Sequence, residues 1–222
     1  MKKYLVLFAF IIIQGCSSGG GDSTSPTDPN TVFQLFPTGY FTAGYTSTIN
    51  YTGTDTAGST YTGTVSKQTQ AESTFLGVPA IPILYQIQIT NTATGAFASG
   101  TSTEYFSTLA TDRHYLGYSS NTTTTVSATT SPIPQTAKIG DFGIIGTYTD
   151  NAGNVDIQSW RIDDGGNGTA NGVLLSNETD QFGNPTSSSV ETTNIDASGN
   201  RLSEKLVIYY ADSGITVTLN SN

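Results

Sequence analysis

Between positions 150 and 200 the chain writes Asp-x-x-Gly-Asn four times: Asp150 to Asn154, Asp163 to Asn167, Asp180 to Asn184 and Asp196 to Asn200. Asp55-Thr-Ala-Gly58-Ser59 and Asp212-Ser-Gly214 are variants of the same phrase. An aspartate that bonds its own backbone opens a type I turn. A glycine in the left-handed conformation then rejoins the strand. From Asp150 to Asp212 the turns start 13, 17, 16 and 16 residues apart. That leaves about 8 to 12 residues for each strand between them, long for a globular sheet. Tight turns at this rhythm predict an antiparallel up-and-down meander. In such a meander Asp150, Asp180 and Asp212 fall on one rim, and Asp163 and Asp196 on the other.

The segments between the turns alternate. In "YQIQIT" Tyr85, Ile87 and Ile89 face one way and Gln86, Gln88 and Thr90 the other. "STYTGTVS" sets Tyr61, Gly63 and Val65 against threonines, and "GITVTLN" does the same with Ile215, Val217 and Leu219. "EKLVIYY" places Leu206, Ile208 and Tyr210 on one face. Period two marks strands with one face on a core and one in water. No stretch of ten residues shows helical periodicity. The body is therefore expected to be all-β, with about ten to twelve strands. Free edges recruit other chains, so the sheet should curl into a closed or half-open barrel, with a two-sheet sandwich as the alternative. Two segments break the rhythm. "FLGVPAIPIL" (Phe75 to Leu84) carries two prolines and reads as a loop or strand crossing. "SPIPQTAKIGDFG" (Ser131 to Gly143) reads as a long connection between two halves. On the next strand Val155 and Ile157 share one parity and Trp160 and Ile162 the other, which predicts a bulge near Ser159. Most tyrosines, Tyr61, Tyr85, Tyr105, Tyr115, Tyr118, Tyr148, Tyr209 and Tyr210 among them, are expected as core or cross-strand partners.

The N-terminus is of another kind. Lys2 and Lys3 precede an uncharged run from Tyr4 to Ile13. That run is too short for a bilayer-spanning helix, which needs about 20 residues; it fits a secretory signal peptide. Ile13-Gln14-Gly15-Cys16 then resembles the lipobox of bacterial lipoproteins. The resemblance implies cleavage before Cys16 and lipidation of its thiol and new amine. Cys16 is the sole cysteine, so it has no internal disulfide partner. Ser17 to Asn30 lacks large apolar side chains and reads as a tether. Its opening, Cys-Ser-Ser-Gly-Gly-Gly, resembles the leaders of factor H-binding and transferrin-binding surface lipoproteins. The expected organisation is a signal peptide over 1–15, a lipidated Cys16 with its Gly/Ser tether over 16–32, and one β domain over 33–222. The β-rich body resembles poorly characterised envelope lipoproteins. The location this implies is the bacterial envelope, with the outer membrane favoured by Ser17 after the cysteine.

Cleavage would move the net charge from −9 to about −11, as Lys2 and Lys3 leave. Such a surface argues against nucleic acid, whose phosphates need Lys and Arg. It equally disfavours anionic headgroups. The partners expected are the membrane, through the lipid anchor, and a protein, glycan or lipid ligand whose identity the sequence leaves open.

Little in the sequence points to catalysis. "DDGGNGTANG" (Asp163 to Gly172) resembles one calcium-binding repeat of the RTX type. Ala170 stands where a ligand should be, so Asp163, Asp164 and Asn167 are weak metal candidates, and no cofactor is expected. His114 is the only histidine, and no Gly-x-Ser-x-Gly elbow accompanies it. A carboxylate pair for glycoside chemistry could be drawn from Glu72, Glu104, Glu178, Glu191 and Glu204, but their spacing singles out none. The sequence reading is a non-enzymatic binding or structural lipoprotein. Its alternatives are a lipid carrier or sensor using the inner face of a curled sheet, and a glycan-acting enzyme.

Overall fold

The computed structural model describes residues 25–221. The signal peptide and Cys16 lie outside them. The strands are β1 (Phe33–Gln34), β2 (Thr46–Asp55), β3 (Thr60–Thr69), β4 (Ser73–Phe75), β5 (Val78–Asn91), β6 (Phe97–Ser107), β7 (Tyr115–Ser120) and β8 (Thr124–Thr130). They continue with β9 (Thr136–Ala137), β10 (Phe142–Asp150), β11 (Val155–Gly166), β12 (Thr169–Thr179), β13 (Pro185–Ile195), β14 (Arg201–Tyr210) and β15 (Ile215–Ser221). Twelve of these form a closed antiparallel meander that runs β2-β3-β5-β6-β7-β8-β10-β11-β12-β13-β14-β15 and returns to β2. β4 adds to the end of β5, and β1 pairs with β9. The curled sheet is thus a closed barrel, not a sandwich.

The aspartate turns explain why the hairpins are tight. At Asp150, Asp180 and Asp196 one carboxylate oxygen accepts the backbone N–H two and four residues on, at 2.8–3.0 Å. The other oxygen accepts the side-chain amide of Asn154, Asn184 or Asn200, each at 2.9 Å. Gly153, Gly183 and Gly199 carry the positive φ, between 79° and 85°. The fourth copy departs from the pattern. Asp163 accepts from Arg161 Nε at 2.8 Å instead of closing a turn. The β11–β12 turn is made by Gly166, Asn167 and Gly168, all with positive φ. Its surroundings show why: Ser25 N–H donates to Asn167 Oδ1 and Thr27 N–H to Asp164 Oδ1. Thr27 is buried there. Ser25 and Thr27 thus already pack on the barrel, eight and six residues before the Phe33 start read from composition.

Three further expectations need correction. The segment from Phe75 to Leu84 is not a crossing. Phe75 ends β4, and Val78–Asn91 is one 14-residue strand. Its prolines sit where no ladder donor is wanted. Pro82 turns its carbonyl, and so its missing N–H, toward Gln70, where β3 has ended and β4 has not begun. Pro79 precedes the first residue paired with β6, Ala80. The bulge predicted near Ser159 lies on the facing strand: Ile144 opposes Ser159 and Gly146 opposes Gln158, leaving Ile145 as the extra residue of β10. Segment 131–141 is more than a connection, because it supplies β9 and closes the barrel mouth.

The two ends of the barrel differ. The turns at 55–59, 91–96, 120–124, 150–154, 180–184 and 210–214 form an open rim. At the other rim β1 and β9 lie across the mouth. Phe33 is fully buried there against Ala137, Ile162, Ala170 and Ile195. Phe36, Tyr40, Phe41 and Tyr45 follow it onto a core of Ile83, Tyr85, Phe106, Tyr115, Ile145 and Tyr148. Residues 33–45 thus form a plug. The outward face of β2 and β3 is a ladder of Thr, Ser, Asn and Gln, with Thr48 bonded to Ser66 and Thr64 to Asn50. A membrane-crossing barrel carries an apolar band outside; on these strands the apolar residues point inward.

Candidate functional site

Inward parity carries charge as well as hydrocarbon. The face that starts with Tyr61, Gly63 and Val65 continues to Lys67. The Leu206–Ile208 face of β14 runs back to Glu204, which opposes Thr193. Glu104 opposes Ile83, and Glu191 opposes both Leu174 and Leu206. Three carboxylates and the cations Lys67 and Arg201 thus share the barrel interior. Lys67 is only 5% exposed, and Glu204 6%.

Glu204 is fully engaged. Arg201 Nη1 donates to one oxygen at 2.7 Å, and the Tyr51 hydroxyl donates to the other. Burial pushes its carboxyl up, but Lys67, Arg201 and these two bonds outweigh burial and hold it below the usual range. Burial likewise disfavours the charged Arg201, yet Glu204 and Glu191 hold it protonated. Glu104 and Glu191 are different. Among the described residues neither is in a direct ion pair, the pairs being His114–Asp112, Arg161–Asp163 and Arg201–Glu204. Burial pushes Glu104 up to about 7, against the pull of Lys67 and a bond from Tyr85. Burial raises Glu191 too, and the nearby Glu204 charge adds to it. The Lys67 ammonium lies over the Tyr85 ring, 5.0 Å from its centroid. The Tyr85 hydroxyl in turn meets that of Tyr40 from the plug at 3.4 Å.

These groups line a cavity of about 190 Å³ beneath the plug. Lys67, Glu104, Glu191, Gln158, Thr193, Arg201 and Arg161, the last held by Asp163, supply its polar lining, and Trp160, Phe106, Tyr115 and Ile145 are part of its apolar wall. A cavity of about 150 Å³ holds one benzene, so this one has room for a single-ring molecule. Nearer the open rim Asp156, raised by burial to about 6, accepts from Ser176 and Gln158. Glu178 accepts from Ser187 at 2.6 Å.

The remaining sequence candidates fall elsewhere. Glu72 is exposed between β3 and β4. His114 sits at the plugged rim, with Nε2 3.1 Å from Asp112 and Nδ1 2.8 Å from the Thr130 hydroxyl. Asp163, Asp164 and Asn167 do not converge on a point: each is taken by a protein donor, Arg161 or the Ser25–Thr27 segment. Among the described residues no group of three His, Cys, Asp or Glu is placed to hold a metal ion. Calcium and a chelator are both expected to leave the melting temperature unchanged; a calcium-dependent rise would restore the metal reading.

The molecule is therefore defined by its fold and site as a plugged, closed twelve-stranded barrel with an ionisable cavity. No family model matches the chain, nor does any curated protein or solved structure.

Proposed function

We propose that the protein is an envelope lipoprotein, anchored through Cys16, whose barrel binds a small organic cation. The observation that carries the binding reading is the imbalance in the cavity. Three carboxylates, Glu104, Glu191 and Glu204, share two cations, Lys67 and Arg201; Arg201 is bonded to Glu204, so neither Glu104 nor Glu191 has a direct ion pair, and aromatic rings complete the wall. An ammonium group supplies the missing charge and gains from aromatic faces, while an attached ring fills the apolar part. The volume argues against the lipid-carrier alternative, since drug-sized ligands already occupy about 300 Å³ or more. The enzyme alternative loses its strongest acid, because Glu204 is held by Arg201 and Tyr51.

Calorimetry with phenethylamine, and with phenylacetate as the anion of similar size, tests this reading. The amine is expected to bind and the acid not. A cation favours ionised Glu104, whose carboxyl titrates near 7. Binding should therefore tighten as pH rises, by about tenfold from pH 6 to pH 8, and Glu104→Gln should flatten that dependence. Preference for the acid, or affinity that falls with rising pH, would assign the cavity to anions through Lys67.

A further inference from the structure

We infer that the plugged rim is a membrane-docking face, seated on the headgroup layer of a zwitterionic bilayer. The inference rests on the lipid-anchor reading of Cys16. Large apolar side chains exposed on this barrel are distributed unevenly. Among the described residues Val32, Leu76, Val78, Leu109, Phe142 and Leu202 lie at or beside the plugged rim, while Ile144 and Ile157 are neighbours on the outer wall between the rims. Phe97 and Phe182 alone of this set lie at the open rim. Those at the plugged rim come from different connections and strand ends around the mouth, so no single loop accounts for them. Phe142 is 80% exposed and Leu202 57%.

The chain outside the described residues leaves at this same rim. Ser25 is bonded to Asn167 in the β11–β12 turn, which lies between Phe142 on β10 and Leu202 on β14. From Ser25 to Cys16 is nine residues, which span at most about 32 Å. A lipidated Cys16 therefore holds the plugged rim, not the opposite one, against the bilayer. Apolar side chains confined to a surface at that distance partition into its interfacial layer, about 5–10 Å deep. The chain's acidic balance selects zwitterionic over anionic lipid.

The test uses lipidated protein purified from membranes and reconstituted with phosphatidylcholine vesicles. Some of the vesicles carry lipid brominated near the top of the acyl chain. Phe142→Trp reports from the plugged rim, Leu202→Trp from its far side, and Phe182→Trp from the open rim. Emission is read above that of the half-buried Trp160. The first two reporters are expected to lose at least about half their emission to bromine, and the third to lose none. Co-flotation of the protein with vesicles, absent in Cys16→Ala, is scored in parallel. Protein that floats with unquenched reporters at 142 and 202 overturns the docking and leaves the anchor standing. Protein that does not float overturns the anchor and the docking together. Reporters shielded in proportion to protein concentration, without vesicles, would mean that a second copy covers the rim, and would overturn the inference.

Discussion

At about pH 8, Lys67→Met is expected to be less stable than the native chain by about 3 kcal/mol, the scale on which breaking a buried charge network acts. The deficit should shrink as pH falls toward 5. Lys67 pulls Glu104, Glu191 and Glu204 all downward, more strongly than Arg201 does. Glu104 has a folded-state pKa raised above its unfolded value. Its stability contribution is full below about 4.5 and is lost as pH rises through about 7. Removing Lys67 raises the folded pKa of Glu104 and Glu191 further, so the loss grows and extends into the alkaline range. Near pH 5 Glu104 carries its proton with or without Lys67, so its share of the deficit is gone while the Glu204 share remains. Glu204 has the opposite sign: its folded pKa is lowered, so it stabilises above its unfolded pKa and loses that as pH falls through the folded one. Urea denaturation of both proteins across this range reads the difference. A deficit constant with pH would assign Lys67 to packing of its stem over Tyr85 instead of to charge.

How much of this site the sequence discloses depends on whether apolar neighbours mark the face. Tyr61, Gly63 and Val65 mark the inner face of β3, and two more steps reach Lys67. Leu206, Ile208 and Tyr210 mark that of β14, and one step back reaches Glu204. On β13 the marker misleads. Ser187, Ser189, Glu191 and Thr193 point inward, while Val190 points out, so hydrophobicity alone turns that strand inside out. Glu191, one of five candidate acids in the sequence, is thus placed inside the barrel only once its pairing with Leu174 and Leu206 is known. The bulge on β10 was partly legible. Ile144 and Ile145 are adjacent, yet one is 61% exposed and the other 5%, and that parity break showed in the sequence only as a slip on β11. The plug had no periodic signal at all. Its aromatics bury by filling the barrel mouth, a purpose that exists only once the barrel has closed.

Closure itself is the larger structural commitment. Eleven of the twelve barrel pairings join strands that follow one another around the meander, but the last, β15 with β2, joins residues far apart in the chain. Nothing local in either strand names its partner. What favours the pairing is the inner face on both sides: Leu219 beside Gly53, with Tyr51, Leu206 and Ile208 in one cluster. The ionisable site depends on that seam. Tyr51 on β2 reaches across to Glu204 on β14, and Ser221 at the end of β15 accepts the Glu204 N–H at 2.7 Å. Barrel closure and the charge state of Glu204 are therefore linked.

Gly53→Val is expected to open this seam, at a cost of at least about 3 kcal/mol, the upper range for overpacking. A Cβ on Gly53 would stand 2.1 Å from the Thr218 carbonyl oxygen and 3.0 Å from the Leu219 Cα. These are backbone atoms of β15, which no rotamer change can move aside. Gly172→Ala is the matched control. It too lies on the barrel wall, but its Cβ would meet nothing nearer than the Thr193 carbonyl at 3.8 Å. That substitution should leave stability within about 1 kcal/mol. Denaturation midpoints measure the two costs. Hydrogen exchange at Thr218 and Asn220 tells whether the seam has parted: their amides should lose protection in Gly53→Val before those of β12 and β13 do. If both substitutions cost the same and exchange rises uniformly, the seam is no weaker than the hairpins. Early loss confined to β15 and β2 would show that barrel closure and the Glu204 contacts are held by one strand pairing.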